Sequence, residues 1–313
     1  MNIRTLFTLG TVAIALALIS LWMGQQAYSW FPPQASAESQ LVDQLFSFLV
    51  TLGTFIFLGV VGTLTYAVLF QQAGKYDTRD GPPIEGNVPL EVVWTVIPFA
   101  LVIWIAFYSY QIYDRMSILG PMEHLHLQPM AAIAAPLENP TGAVNPLPPI
   151  EVHARQWVWE FRYPEHNVTS TELHLPNNQR VKLVLQSEDV LHGFFVPAFR
   201  IKQDIIPGRV IDFEFTPIRE GRYRLRDSQF SGTYFAAMQT DVVVESPKAF
   251  QQWLATAAAH PPFEAYNRAF DEYQLAQNPV RTGWKTVEPA RPPMVNVSAN
   301  PLRNPPSGQE STP

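Results

Sequence analysis

Hydrophobic and polar positions divide the chain into two regimes. Residues 46–70 and 92–113 carry no charged side chain, and at 1.5 Å of rise per helical residue each run crosses a hydrocarbon core roughly 30 Å thick. They predict a hairpin of two transmembrane helices. A buried helical pair of a soluble protein would need polar flanks inside each run, and neither has them. Residues 6–23 form a third apolar run behind Arg4, which reads either as a signal peptide or as a retained helix. The tripeptide Ala35-Ser36-Ala37 imitates a cleavage site but lies far beyond the end of that run, which favours retention.

From Ile150 onward the period becomes two. In "RQWVWEFRYP" Trp157, Trp159, Phe161 and Tyr163 fall on one face and Val158, Glu160 and Arg162 on the other. This predicts one strand with an aromatic face, whose plain role is core packing. "RVKLVLQS", "VIDFEFTP", "GRYRLRD" and "MQTDVVVES" predict further strands, separated by Pro or Gly turns at the spacing of a β-sandwich. Ser246-Pro247 predicts a helix start, an N-cap followed by proline at the first helical position, leading into "KAFQQWLATAAAH". "FEAYNRAFDEYQLAQ" is a second possible helix. Beyond Asn278 the chain is rich in proline without apolar period, which predicts a segment either disordered or draped over a neighbour. The expected class is membrane α plus all-β. Its divisions are an N-terminal apolar helix or signal segment (1–40), a transmembrane hairpin (41–115) and a linker (116–149). A sandwich (150–247) and a helical, then proline-rich tail (248–313) follow.

Charge adds a topology. Arg4 flanks the first run, Lys75 and Arg79 sit between the other two, and residues 24–43 carry no Lys or Arg. The positive-inside rule puts the amino terminus and the 71–90 loop in the cytoplasm and everything after Tyr113 on the outer or lumenal side. Arg115, just past the helix, is a small count against this. The net charge of -6 argues against nucleic acid as a partner. The absence of cysteine excludes disulfides, thiolate nucleophiles, iron–sulfur clusters and every copper site built on a thiolate.

Several smaller signals remain. His124 and His126 stand two apart in a linker that offers no third ligand, so a solvated pair is the plainer reading. Arg222, Arg224 and Arg226 share one strand face, either as a docking surface or as an ordinary solvated face. Asn167 and Asn296 head glycosylation sequons, which carry little weight by themselves. Ser228 or Ser231 with His192 and Asp227 could be imagined as a hydrolytic set, but no nucleophile elbow accompanies them.

Three stretches, "PLEVVWTVIP", "RQWVWEFRYP" and "DVLHGFFVPAFRIKQDIIPGR", resemble motifs of subunit II of the haem-copper terminal oxidases, in that family's order, over residues 42–247. "DGPPIEGNVPLE", with the early apolar run, resembles the cyanobacterial branch. The resemblance implies a cupredoxin-like sandwich. In electron-accepting members this domain carries two copper ions in a loop Cys-x-Glu-x-Cys-x-x-x-His-x-x-Met, with a second histidine from the "DVLH" motif. Here the loop positions are Asp227, Gln229, Ser231, Phe235 and Met238, and the second histidine is His192. Asp and Ser offer hard oxygen and Phe offers nothing, so this chain is expected to bind no metal of its own, and His192 and Met238 are expected to pack in a core. Gln229 replaces the glutamate that in the family contributes to a magnesium or manganese site, and that metal is not carried over.

Trp157 matches the aromatic through which a cytochrome donates its electron, a role left empty without an acceptor beneath it. Members lacking the copper pair resemble the quinol-oxidising branch, and the nearest likeness is to cyanobacterial alternative respiratory terminal oxidases. The implied function is a copper-free structural subunit of a complex that reduces O2 to water, with haems and copper in subunit I. Subunits I and III, the lipid membrane and quinol are the implied partners, in a bacterial plasma or thylakoid membrane. Glu91 matches a carboxylate at the mouth of a proton path; the alternative is an acid favoured by a helix N-terminus. Two other functions stay open. Cytochrome c or another soluble donor could pass electrons by a non-standard route, or the chain could be a membrane-tethered binding module, against which Glu91 and the hairpin motifs count.

Overall fold

The computed structural model describes residues 2–72, 74, 76, 86–116, 118, 147–276 and 286–299. Lys75, Arg79, His124 and His126 lie outside the described residues. The chain divides into two compact units, one of Met1–Phe31 with Leu41–Arg115, the other of Pro32–Gln40 with Met116–Pro313.

The first unit is helical: α1 (Ile3–Gln26), α2 (Ala37–Phe70) and α3 (Val88–Met116), each long and apolar enough to cross a membrane. α2 and α3 extend beyond the uncharged runs 46–70 and 92–113. The 34 residues of α2 span about 50 Å, more than the hydrocarbon needs, because a helix stops at its cap and not at its last charge. The cap is Ser36, whose Oγ accepts from Ser39 N at 3.1 Å. α1 and α2 touch at Gly24, where a Cβ would lie 1.9 Å from Thr51 Oγ1 and 2.9 Å from Ser47 O. The Ser47 hydroxyl donates to Gly24 O at 2.8 Å, so the missing side chain is what allows the contact. Phe48 of α2 meets Trp104 and Tyr108 of α3 edge-on, each at 5.1 Å. Much of the remaining helix surface is exposed apolar side chain, including Phe57, Leu64 and Phe99, as a lipid-facing surface requires.

The second unit is a sandwich. Its strands are β1 (Ile150–Arg155), β2 (Val158–Tyr163), β3 (Val168–Ser170), β4 (Leu173–Pro176), β5 (Val181–Ser187), β6 (His192–Val196), β7 (Ile201–Ile205), β8 (Ile211–Phe215), β9 (Gly221–Asp227) and β10 (Gln239–Glu245). One sheet runs β3-β2-β1-β5-β8 and the other β4-β10-β9-β6-β7. The β1–β5 and β4–β10 pairs are parallel and the others antiparallel. Trp159, Phe161, Leu183 and Phe213 of the first sheet pack with Leu173, Phe194, Leu225 and Val242 of the second in one buried core.

The single strand expected over 155–164 is instead the second arm of a hairpin. Arg155 pairs with Val158, and Gln156 and Trp157 form the turn. Trp157 is still buried, but it reaches the interior from a turn, which alternation cannot distinguish from a strand. The expected outward face is not open either, since Glu160 is buried between Arg155, at 2.7 Å, and Arg162, at 2.6 Å. Sequence reading also passed over β3, β4, β6 and β7, which are short or lack clean alternation.

After the sandwich come α4 (Pro247–Ala259), β11 (Phe263–Glu264), α5 (Arg268–Ala276) and β12 (Met294–Val295). Ser246 Oγ accepts from Ala249 N at 3.2 Å and caps α4 as expected. The second helix is shorter than expected, because its first residues pair with β12 as β11. Residues 277–285 and 300–313 lie outside the description. Residues 286–299, expected to be disordered or draped over a neighbour, pack on this chain's own sandwich. Ala290 N donates to Gln156 O at 2.5 Å, Thr171 N donates to Val297 O at 3.1 Å, and Asn296 bonds both Thr169 and His260.

Pro32–Gln40 belongs with the sandwich. Ala35 N donates to Ala198 O at 3.1 Å, Ile218 N donates to Ala35 O at 2.9 Å, and Glu38 accepts from Thr216 N. The Ala35-Ser36-Ala37 tripeptide is therefore part of a folded domain, with Ala35 and Ser36 fully buried. From Pro32 on, the connector between α1 and α2 thus falls in the same compact unit as the chain after α3.

Candidate functional site

The family-matched loop begins where β9 ends. β9 reaches Asp227 beside β6, with Phe194 opposite Asp227, and β6 begins at His192. The cross-strand register thus brings residues 35 positions apart into contact. His192 Nδ1 lies 2.8 Å from Asp227 Oδ2, and its Nε2 lies 2.9 Å from Asp189 Oδ1. Asp227 Oδ2 also accepts from the Ser231 hydroxyl at 2.7 Å. Asp227 Oδ1 accepts from Gly193 N at 2.8 Å and Gln229 N at 3.0 Å. The side chains of His192 and Asp227 are both fully buried. Asp189 is partly exposed and accepts from Gln156 N and Val190 N, each at 2.6 Å.

Two glycines make room for this packing. A Cβ on Gly193 would come within 2.2 Å of Ser228 Oγ. Gly232, at φ +117, would place one 2.7 Å from the Trp157 ring.

The other matched residues surround the cluster. Met238 is buried, and its carbonyl accepts from Asp227 N at 3.1 Å and from Trp159 Nε1 at 3.3 Å. Phe235 opens a short helical turn and meets the exposed Phe230 ring at 5.1 Å. Gln229 Nε2 donates to Asp204 Oδ1 at 2.8 Å. Trp157 Nε1 donates to Ser231 O at 3.1 Å, and its ring meets Tyr234 edge-on at 5.2 Å. Glu91 stands elsewhere, in the first turn of α3, where its Oε1 accepts from Asn87 N at 3.3 Å while Asn87 Oδ1 accepts from Leu90 N at 3.2 Å. That is a reciprocal cap of the helix start.

Electrostatics follow from these contacts. Burial pulls the His192 pKa down, but the hydrogen bonds and charges of Asp189 and Asp227 outweigh it, and the net shift is upward. Burial pushes Asp189 up, yet the hydrogen bond from His192 and the Gln156 and Val190 amides hold it below its usual value. The three strand-face arginines are not a uniform cationic patch: Arg222 pairs with Glu172 at 3.1 Å and Asp241 at 3.3 Å, and Arg224 lies 3.7 Å from Asp241. Arg226 is exposed.

The donor set does not suit a thiolate-bridged copper pair. Asp227 and Ser231 present oxygen, Phe235 presents hydrocarbon, and both nitrogens of His192 already face carboxylates. Among the described residues no group of three or more His, Cys, Asp or Glu is arranged to hold a metal ion. A hydrolytic triad is excluded by the same geometry, because the Ser231 hydroxyl turns to Asp227 and no ring nitrogen is left for a serine. Sequence reading missed Asp189, although it stands three residues before His192 in the quoted motif. Its approach to the ring depends on the β5–β6 loop, which no periodicity describes.

Comparison with known proteins bears on both units. Residues 20–112 match the family model described as cytochrome c oxidase subunit II, transmembrane domain, and residues 166–246 match the one described as its periplasmic domain. Cytochrome c oxidase subunit 2 of Synechocystis sp. is 34% identical over 274 residues, covering 80% of this chain and 82% of that one. The protein of the same name from Thermostichus vulcanus is 35% identical over 286 residues, covering 80% and 87%. Quinol oxidase subunit 2 of Bacillus spizizenii is 27% identical over 253 residues, covering 79% and 70%. Matched in its helices and in its sandwich, the chain belongs to the cytochrome c oxidase subunit II family, the second subunit of the haem-copper oxidases.

Proposed function

We infer that this chain is a copper-free subunit II of a quinol-oxidising, oxygen-reducing complex, a scaffold beside a haem-bearing subunit I that receives electrons from quinol within the bilayer. The observation that carries this reading is Asp227 and Ser231, hard-oxygen side chains at the two bridging-thiolate positions of a chain without cysteine. Without a bridge the sandwich offers no redox stop between a soluble donor and the membrane. The relative named quinol oxidase subunit 2 supports the reading. The names of the two cyanobacterial relatives favour a second one, cytochrome c as donor by a non-standard route. Trp157 weighs against it, being 2% exposed, with Tyr234 on its ring and residues 286–299 tied to its turn.

Subunits I and III and the lipid bilayer are the proposed partners, with the sandwich on the periplasmic or lumenal side of a bacterial, cyanobacterial-type membrane. Glu91 is the proposed collector of protons for a path into subunit I, since a carboxylate at a membrane boundary can take protons from bulk water and pass them along hydrogen bonds. The test is purification of the complex, with copper counted against haem and parallel assays on quinol and on reduced cytochrome c. Quinol oxidation with copper confined to the catalytic subunit is expected. Two further coppers, or oxidation of cytochrome c alone, overturns the reading.

A further inference from the structure

The matched positions did not simply lose their ligands; another structure fills them. Each carboxylate oxygen around His192 already meets a hydrogen-bond donor. Asp227 Oδ1 takes the amides of Gly193 and Gln229, and Asp227 Oδ2 takes the Ser231 hydroxyl. Asp189 Oδ1 takes the Val190 amide and Asp189 Oδ2 the Gln156 amide. Both aspartates act as acceptors, and each also approaches a different nitrogen of one imidazole, at 2.8 and 2.9 Å. A neutral imidazole donates from one nitrogen only, whereas both nitrogens of the charged ring donate. Charge-assisted hydrogen bonds fall in this distance range.

We propose that a charge cluster takes the structural place of the metal pair: His192, protonated on both ring nitrogens, bridges Asp189 and Asp227 and closes the 228–238 loop onto the sandwich. The inference rests on the copper-free reading above. A metal pair would tie β6 to this loop through shared ligands; here the tie runs from the β5–β6 loop through Asp189, His192 and Asp227 to Ser231. The loop is also held by backbone bonds at its ends, Ser228 N to Gly193 O at 3.0 Å and Asp227 N to Met238 O at 3.1 Å, and by side-chain bonds to the residues around it. Gln156 Nε2 and Trp157 Nε1 donate to Ser231 O at 2.7 and 3.1 Å, and Gln229 Nε2 donates to Asp204 Oδ1 at 2.8 Å. Among the described residues, the groups packed around the ring add no competing cation. β2 contributes the Trp159 ring at 6.4 Å, and β7 places Ile205 opposite His192. Farther out, Gln229 leads to Asp204, which Lys202 pairs with at 3.2 Å. Two carboxylates around one imidazolium leave one negative charge, which the surrounding amides stabilise.

The test uses the full-length chain purified in detergent. Phe230, 79% exposed in the loop, reports loop opening as the rate of cleavage by a chymotrypsin-type protease. In the parent chain the rate is expected to be the same with and without a chelator. His192→Gln and Asp227→Asn are each expected to raise it on the order of tenfold, and Ser231→Ala by less, because cleavage follows the population of the open loop. Ser231→Ala keeps the ion pairs and so remains informative if the other two variants fail to fold. Nitrogen NMR of the histidine-labelled chain, assigned by loss of the signal in His192→Gln or by its shift in Ser231→Ala, is expected to show a proton on both nitrogens of the ring. A chelator that speeds cleavage, with copper found in the preparation, overturns the copper-free reading and this inference with it. A metal-free chain with a bare ring nitrogen at His192, or with cleavage unchanged in all three variants, overturns this inference alone.

Discussion

Asp227 illustrates how one residue redirects a site. As a carboxylate it neutralises His192, caps the amides of Gly193 and Gln229, and turns Ser231 inward. The pKa shifts at this cluster set a pH dependence. His192 is raised above its ordinary 6.5, so its contribution to stability is complete below that value and is lost as pH rises through the folded-state pKa. Asp189 is held below its ordinary 3.8, so its contribution is present above that value and lost as pH falls through the folded-state pKa. Thermal denaturation of the parent chain and His192→Gln should therefore differ most between these two values and converge towards alkaline pH. A gap that widens with rising pH would contradict the assignment. At Glu91 the cap and the proposed proton role separate by substitution, since Gln keeps an oxygen for Asn87 N and removes the charge. Glu91→Gln should lower turnover of the assembled oxidase roughly tenfold or more with its abundance unchanged; normal turnover would leave only the cap.

At the scale of elements, ends and crossings decide what apolar runs cannot. α2 begins at Ala37 because Ser36 caps it, nine residues before the uncharged run starts. The contact of α1 with α2 depends on Gly24, as no larger residue fits between Thr51 Oγ1 and Ser47 O. Gly24→Leu should destabilise the detergent-purified chain by about 1–3 kcal/mol, the usual cost of overpacking, seen as a lower unfolding temperature. An unchanged transition would mean that the two helices do not depend on this crossing. The β1–β2 hairpin teaches the complementary lesson. A turn whose second residue is a buried tryptophan continues the strand's alternation, so a period of two ran through it unbroken.

At the scale of the whole sandwich, residues 286–299 complete the fold from far along the chain. Asn296 is the hinge of that closure, accepting from Thr169 N at 2.9 Å and donating to His260 O at 2.7 Å while buried. Asn296→Ala removes both bonds, leaving Thr169 N only the bonds that other atoms can offer. A loss of about 1–3 kcal/mol in thermal or denaturant unfolding of the full chain is expected, the cost of leaving buried polar groups unmet. No change in stability would show the segment to be an accessory to the sandwich.

The sequence alone determined the three apolar helices, the β-sandwich after them, the capped helix at Ser246 and the family. Each depends on local composition, on a period or on a motif that neighbouring residues express together. The lack of cysteine likewise removed thiolate copper chemistry with no coordinates needed. Tertiary structure decided what stands in that chemistry's place, because Asp189, His192, Asp227 and Ser231 meet only through strand register and loop path. It also decided that Trp157 sits in a turn, and that residues 286–299, which have no apolar period, bind their own sandwich. Those contacts are hydrogen bonds between distant segments, made by backbone and short polar side chains that leave no periodic trace in the chain.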